Sequence, residues 1–145
     1  MEEKRSVMMA LARTRRAWMN HTKAVAQELG IPDSYRSVIS YLHRHPGANQ
    51  KNIAEFSNVT TAAINQTVKE MIAEGYVEKE TDAADKRYTK LFLTEKGRTT
   101  ATKLREMLHH SDEIITEAIT PEKEAEMIAL LDTIYNCIRR DLTSC

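Results

Sequence analysis

Turn-forming residues are scarce in this 145-residue chain, which holds only four glycines and three prolines. That scarcity argues against a loop-rich, many-hairpin β architecture and points to long helices. Cysteine is scarce too: Cys137 and Cys145 are the whole supply. Two thiols so close in sequence cannot form the disulfide framework of a small secreted scaffold. No apolar run approaches bilayer-spanning length. The first ten residues, MEEKRSVMMA, lack the hydrophobic centre of a secretory signal, so cytoplasmic residence and no membrane partner are expected. An excess of either charge is also missing, because 21 Lys and Arg balance 21 Asp and Glu. A general nucleic-acid coat protein is usually strongly basic, so that class is disfavoured. A sequence-specific reader is not excluded, since local placement of charge sets the field at a contact face. What is present, 41% apolar and 29% charged residues, is the composition of one ordinary globular domain.

Periodicity divides the chain into helices. Val7, Leu11, Trp18 and Val25 recur at alternating spacings of four and three, with Thr14 and His21 on the same face, so Val7 to Leu29 reads as one amphipathic helix. Gly30-Ile31-Pro32-Asp33 ends it. A second helix turns Tyr35, Val38, Ile39 and Leu42 inward and stops at His45-Pro46-Gly47. Asn49 to Phe56 is a short helix with Ile53, Ala54 and Phe56 as its apolar side, and Ser57-Asn58-Val59 is the turn after it. Thr60 or Thr61 can cap the next helix, which buries Ile64, Val68, Met71 and Ile72 and ends at Gly75. Tyr76 to Glu80 and Tyr88 to Leu93 alternate as strands do, joined by an exposed link from Thr81 to Arg87. Thr94 then caps a long helix through about Ile119, with Leu104, Met107, Leu108, Ile114 and Ile115 on its apolar face. Thr120-Pro121 starts a last helix with the stripe Ile128, Leu131, Tyr135, Ile138 and Leu142.

The fold expected is therefore mostly α with a small β-wing. Two strands with a charged tip, placed directly after a helix, describe a winged helix-turn-helix. The order helix, helix, Gly75, strand, Asp85-x-Arg87, strand, Leu93-Thr94-x-x-Gly97 resembles the MarR family of bacterial transcriptional regulators. The resemblance covers nearly the whole chain. It implies one domain over 1–145, with the reading lobe at 31–97 and a helical dimerisation region at 1–30 and 98–145. A small lobe offers too little surface to cover the long terminal stripes, so a second copy is the economical partner. Val7, Leu11, Ile128, Leu131, Tyr135, Ile138 and Leu142 are the residues expected at that homodimer interface.

In such a motif the second helix enters the major groove of double-stranded DNA with its N-terminal residues at the base edges. Here that end is Thr60-Thr61-Ala62-Ala63-Ile64-Asn65-Gln66, with Lys69 a turn later. Ile64 and Val68 face the core, which turns Thr61, Ala62, Asn65, Gln66 and Lys69 outward. Asn and Gln amides pair with adenine and small methyl groups suit thymine, so an A·T-leaning site is expected. Gln66 stands where many family members carry Arg, which weakens a carried-over contact there. The resemblance assigns Arg87 to the minor groove and Asp85 to its support. Lys86 and Lys90 are candidate phosphate contacts. So are Lys51 and Asn52, at the start of a helix whose N–H groups attract phosphate.

Rival readings have less to stand on. No Gly-rich phosphate loop, nucleophile motif or paired-carboxylate constellation supports an enzyme, and a winged-helix protein–protein adaptor is the other alternative. No cofactor is implied. His109 and Glu113 have a usable ligand spacing, but neighbouring histidines diverge around a helix and no second ligand pair accompanies them. Cys137 is expected as a small buried hydrophobe. Peroxide-sensing family members carry a reactive Cys near the start of the first helix, where this chain has none. Trp18 and His21 are expected in packing, or in a cleft for a small aromatic or anionic effector that the resemblance implies.

Overall fold

The computed structural model describes residues 6–85 and 87–143, with side chains as far as residue 140. The chain runs α1 (Val7–Glu28), α2 (Asp33–Arg44), α3 (Gln50–Ser57), α4 (Thr61–Ala73), β1 (Val77–Thr81), β2 (Thr89–Leu93), α5 (Glu95–Ile119) and α6 (Pro121–Thr143). It forms two compact units, Met1–Leu108 and His109–Cys145.

Three helix starts in the first unit are capped by side chains. The Ser6 hydroxyl accepts from the Met9 N–H at 3.1 Å and begins α1. Asn49 and Asn52 exchange bonds in a capping box at the head of α3, where each side-chain oxygen accepts the other's backbone N–H. The Thr60 hydroxyl accepts from the Ala63 N–H at 3.1 Å and fixes the first turn of α4. The turn between α3 and α4 needs a left-handed residue, and Asn58 supplies it at φ 53°. Gly75 does the same after α4 at φ 79°.

These elements close over one core. Tyr35, Val38, Ile39 and Leu42 from α2 meet Ile53 and Ala54 from α3 and Ile64, Val68 and Met71 from α4. Val77, Leu91 and Leu93 from the wing, Ala101 and Leu104 from α5, Val25 and Ala26 from α1, and Ile31 complete it, and all are buried. The strands pair antiparallel with Val77 opposite Leu93 and Lys79 opposite Leu91, which puts those side chains on one face and Glu78, Glu80, Lys90 and Phe92 on the other. The link between α2 and α3 joins the edge of β2: the Gly47 N–H donates to Leu91 O at 2.9 Å, and the Leu91 N–H donates to Ala48 O at 3.0 Å. Wing and helix-turn-helix are thereby one lobe.

Several expectations needed correction. The strands begin one residue later than periodicity suggests, because Tyr76 sends its N–H to Met71 O in the turn that closes α4. Phe56 is 48% exposed rather than turned to the core. Its ring lies 5.0 Å from that of Tyr41, and the Arg44 guanidinium stands 5.2 Å over it. Cys137 is exposed. Val25 of the α1 stripe is buried, Leu11 and Trp18 are half-buried, and Val7 is exposed.

In the second unit, Ile114 and Ile115 on α5 and Met127, Ile128, Leu130, Leu131, Tyr135 and Ile138 on α6 are all exposed. The side chain of Leu142 lies outside the described residues. No described helix is long and apolar enough to cross a membrane.

Candidate nucleic-acid interface

The N-terminal half of α4 presents a short polar face. Thr61, Ala62, Gln66 and Lys69 are exposed, Asn65 is half-buried, and the opposite side sinks Ile64, Thr67, Val68 and Met71 into the core. Thr60 spends its hydroxyl lone pair on the Ala63 N–H, so the helix carries its own cap. The Gln66 amide donates to the Glu70 carboxylate one turn on, at 2.9 Å. That bond competes with any contact from Gln66 to a base.

The wing tip is built by two aspartates. Asp82 accepts the Ala84 N–H at 2.8 Å, and Asp85 accepts the Arg87 N–H at 3.0 Å. Both are side-chain-made turns two residues long. Asp85 then grips the Arg87 guanidinium, Nε to Oδ1 at 3.0 Å and Nη2 to Oδ2 at 3.1 Å. The Arg87 side chain is 89% exposed. Its bonds hold the Asp85 carboxyl below its ordinary pKa, the guanidinium contributing most and the Arg87 backbone N–H next. Lys90 is exposed on the outer face of the wing sheet, across from Glu80. Lys86 lies outside the described residues.

Of the candidate phosphate contacts on α3, Lys51 is exposed in the first turn. Asn52 has its side-chain oxygen committed to the capping box, accepting from the Asn49 N–H at 3.3 Å. Trp18 is half-buried, His21 is exposed, and their rings stand 5.7 Å apart, tilted by 41°. The His109 and His110 rings approach the Glu113 carboxylate at 3.9 and 3.7 Å. No group of three or more His, Cys, Asp or Glu able to hold a metal occurs among the described residues.

A set of contacts that sequence reading missed fastens the far end of α4. The Thr94 hydroxyl donates to Gly75 O at 2.6 Å and accepts the Gly97 N–H at 3.1 Å. Lys96 Nζ donates to Glu74 O at 2.9 Å and sits 4.2 Å over the Tyr76 ring. The buried Tyr35 hydroxyl bonds to the Glu74 side chain, and burial, with that bond and the Glu74 charge, pushes its phenol up to about 12. The only available signal was Leu93-Thr94-x-x-Gly97, and it shows the cap but not the partners about twenty residues upstream.

Comparison with known proteins agrees with this geometry. A family model described as "MarR family" matches residues 29–87. The uncharacterized HTH-type transcriptional regulator YybA of Bacillus subtilis (strain 168) is 31% identical over 100 residues, covering 69% of this chain and 67% of the relative. The chain belongs to the MarR family.

Solved structures of other transcriptional regulators share the fold. The transcriptional regulator SlyA superposes with a TM-score of 0.83 at 18% identity, over 94% of this chain and 96% of that one. The transcriptional repressor CouR, bound to a 23-mer DNA duplex, superposes with a TM-score of 0.77 at 22% identity, over 90% and 92%. The protein is thus a MarR-family transcriptional regulator with a DNA-binding winged helix.

Proposed function

We propose that the protein is a ligand-responsive repressor that binds a pseudo-palindromic operator as a homodimer, with no catalytic activity. The observation that carries the reading is the pairing, within one unit, of an outward helix face, exposed at Thr61 and Ala62 and half-buried at Asn65, with a pre-formed Asp85–Arg87 fork whose guanidinium is exposed. An exposed ion pair adds little to folding. A guanidinium held ready at a wing tip is explained by a polyanion with a narrow groove. Lys51, Lys69 and Lys90 are exposed and can meet phosphates, and Lys86, the sequence neighbour of Arg87, is proposed as a further phosphate contact. Asn52 and Thr60 mainly shape the helix ends that present these contacts, and Gln66 reads a base only after releasing Glu70.

Dimer formation is supported by the apolar surface left open on the long helices. Val7 to Met9 on α1 and Met127, Ile128, Leu130, Tyr135 and Ile138 on α6 are exposed in the single chain. A long helix with an uncovered apolar stripe needs a surface to pack on. An aromatic or anionic effector is supported by the tilted Trp18–His21 pair, with exposed Arg13, Arg15 and Arg16 on the same helix. It would lower DNA affinity by binding better to a dimer whose reading helices are wrongly spaced. A panel of phenolic acids that neither raises the melting temperature nor releases DNA would argue against such an effector.

The experiment for the main reading is a titration of labelled duplexes with the purified chain. DNA from upstream of its own coding region should show a saturable shift that falls steeply with salt, while a scrambled duplex binds far more weakly. Equal, weak binding to both duplexes would instead favour the protein–protein adaptor.

A further inference from the structure

The contacts at the C-terminal end of α4 do more than finish a helix. Four backbone carbonyls at a helix end lack intrahelical partners, and cations and donors there offset the negative end of the helix dipole. In this chain the donors come from the head of α5. Lys96 reaches back to Glu74 O, the carbonyl of the α4 C-cap residue, across 22 positions of sequence. The Thr94 hydroxyl faces both ways, donating to Gly75 O just past α4 and accepting the Gly97 N–H inside the first turn of α5. The Thr94 N–H also donates to Tyr76 O at 3.0 Å, and Arg98 Nη1 donates to Leu93 O at 2.9 Å. Room for a side chain is absent in the same place, since a Cβ on Gly97 would run into Tyr76 O and the Leu93 side chain. The end of α4 and the start of α5 are therefore one joint, at the opposite end of α4 from Thr61, Ala62 and Asn65.

We propose that Thr94 and Lys96 are positioning residues for DNA reading, which fix the axial placement and tilt of α4 by tying its C-terminal carbonyls to the first turn of α5. The inference rests on α4 being the reading helix. A helix seated in the major groove reads bases only when its N-terminal side chains arrive within hydrogen-bond reach, so a small tilt about its far end costs base-specific hydrogen bonds. Phosphate contacts through flexible lysines tolerate the same tilt. Losing the joint should therefore lower discrimination more than overall affinity, and a movement of α5 should be passed directly to α4.

The test uses the full chain and the duplex that the wild-type protein recovers from a random-sequence pool, beside a scrambled duplex. Thr94→Val removes both hydroxyl bonds, and Thr94→Ser keeps them. Lys96→Met keeps the length of the side chain but loses its charge and donor. Affinities are measured at several salt concentrations, well below each variant's melting temperature. Thr94→Val and Lys96→Met should each lose roughly tenfold or more of the preference for the recovered duplex, the scale of one or two net hydrogen bonds. Their salt slopes should match wild type, and Thr94→Ser should restore the preference.

Variants that melt earlier but keep the wild-type preference would overturn the proposal, since the joint would then only stabilise. A lower salt slope for Lys96→Met, with both duplexes weakened alike, would make Lys96 a phosphate contact and overturn its positioning role. If Thr94→Val does not fold, Lys96→Met decides. If the wild-type protein recovers no preferred duplex, the DNA-reading function itself has failed, and this inference with it.

Discussion

The Asp85 carboxylate accepts from Arg87 three times, once from the backbone N–H at 3.0 Å and twice from the guanidinium at 3.0 and 3.1 Å. One acidic side chain thus sets both the turn and the direction of the basic one. Replacing Asp85 by Asn should leave folding stability nearly unchanged, because the pair is exposed. DNA affinity should fall, because the guanidinium would have to be ordered on binding. Arg87→Ala should cost roughly ten- to a hundredfold, most on duplexes with A·T-rich flanks, where the narrow minor groove concentrates negative potential. Affinities on flank-swapped duplexes check this. The fork also has a pH signature. A carboxyl held below its ordinary value stays charged as pH falls through the usual carboxylate range, so the fork should open only in stronger acid.

Tyr35 gives a second pH dependence, at the opposite end of the scale. Its phenol is buried, bonded to Glu74, and raised to about 12 from its ordinary 10.0. A raised folded pKa means stability is fully present below about pH 10 and is lost as pH climbs toward 12. The loss should approach about 3 kcal/mol from this group, at roughly 1.4 kcal/mol per pH unit. Urea unfolding at pH 8, 10 and 11 checks it, and Tyr35→Phe should flatten that part of the profile.

Gly97 offers a test of packing. Within a helix, Gly→Ala ordinarily stabilises by about 1 kcal/mol. Here the new Cβ would meet the Tyr76 carbonyl oxygen, a backbone atom fixed by its bond to the Thr94 N–H. Overpacking of this kind costs about 1–3 kcal/mol or more, so the clash outweighs the propensity. Gly97→Ala should melt several degrees below wild type by calorimetry.

The dimer reading makes a prediction about charge on α6. Leu131 and Ile138 are 37% and 42% exposed in the single chain. Replacing both by Asp should break or aggregate a dimer and abolish DNA binding. Size-exclusion with light scattering distinguishes the outcomes. A wild-type chain that elutes as a stable monomer at micromolar concentration would sink the dimer.

Much of this fold is legible in the sequence because its signals are local. Tyr35, Val38, Ile39 and Leu42 recur with helical spacing and are buried as that spacing requires. Gly75 and the caps at Thr60 and Thr94 lie beside the elements they bound. What sequence does not show is pairing across distance. Phe56 belongs to an apolar pattern on α3, yet Tyr41 and Arg44 engage it outside the core. Gln66 is a candidate base reader by position, and its bond to Glu70 appears only in the folded helix. Lys96 reads as an ordinary charge in a helix start, and its hold on Glu74 appears only once the lobe is folded. The local supports, Asp85 and the caps at Thr60 and Thr94, were therefore legible, while the long-range ones were not.

The central claim is that the N-terminal half of α4 reads base edges while the wing and lysines hold the backbone. The most direct measurement is the affinity of Asn65→Ala and Lys90→Ala for operator and scrambled duplexes over a range of salt. Asn65→Ala should cost about 1–3 kcal/mol per half-site on the operator and leave the scrambled duplex nearly unaffected. Lys90→Ala should weaken both duplexes alike and lower the log–log salt slope by about two units per dimer, from roughly 0.9 for each phosphate that is no longer neutralised. If Asn65→Ala instead weakens both duplexes equally, the reading face has been put on the wrong side of the helix, and the account is contradicted.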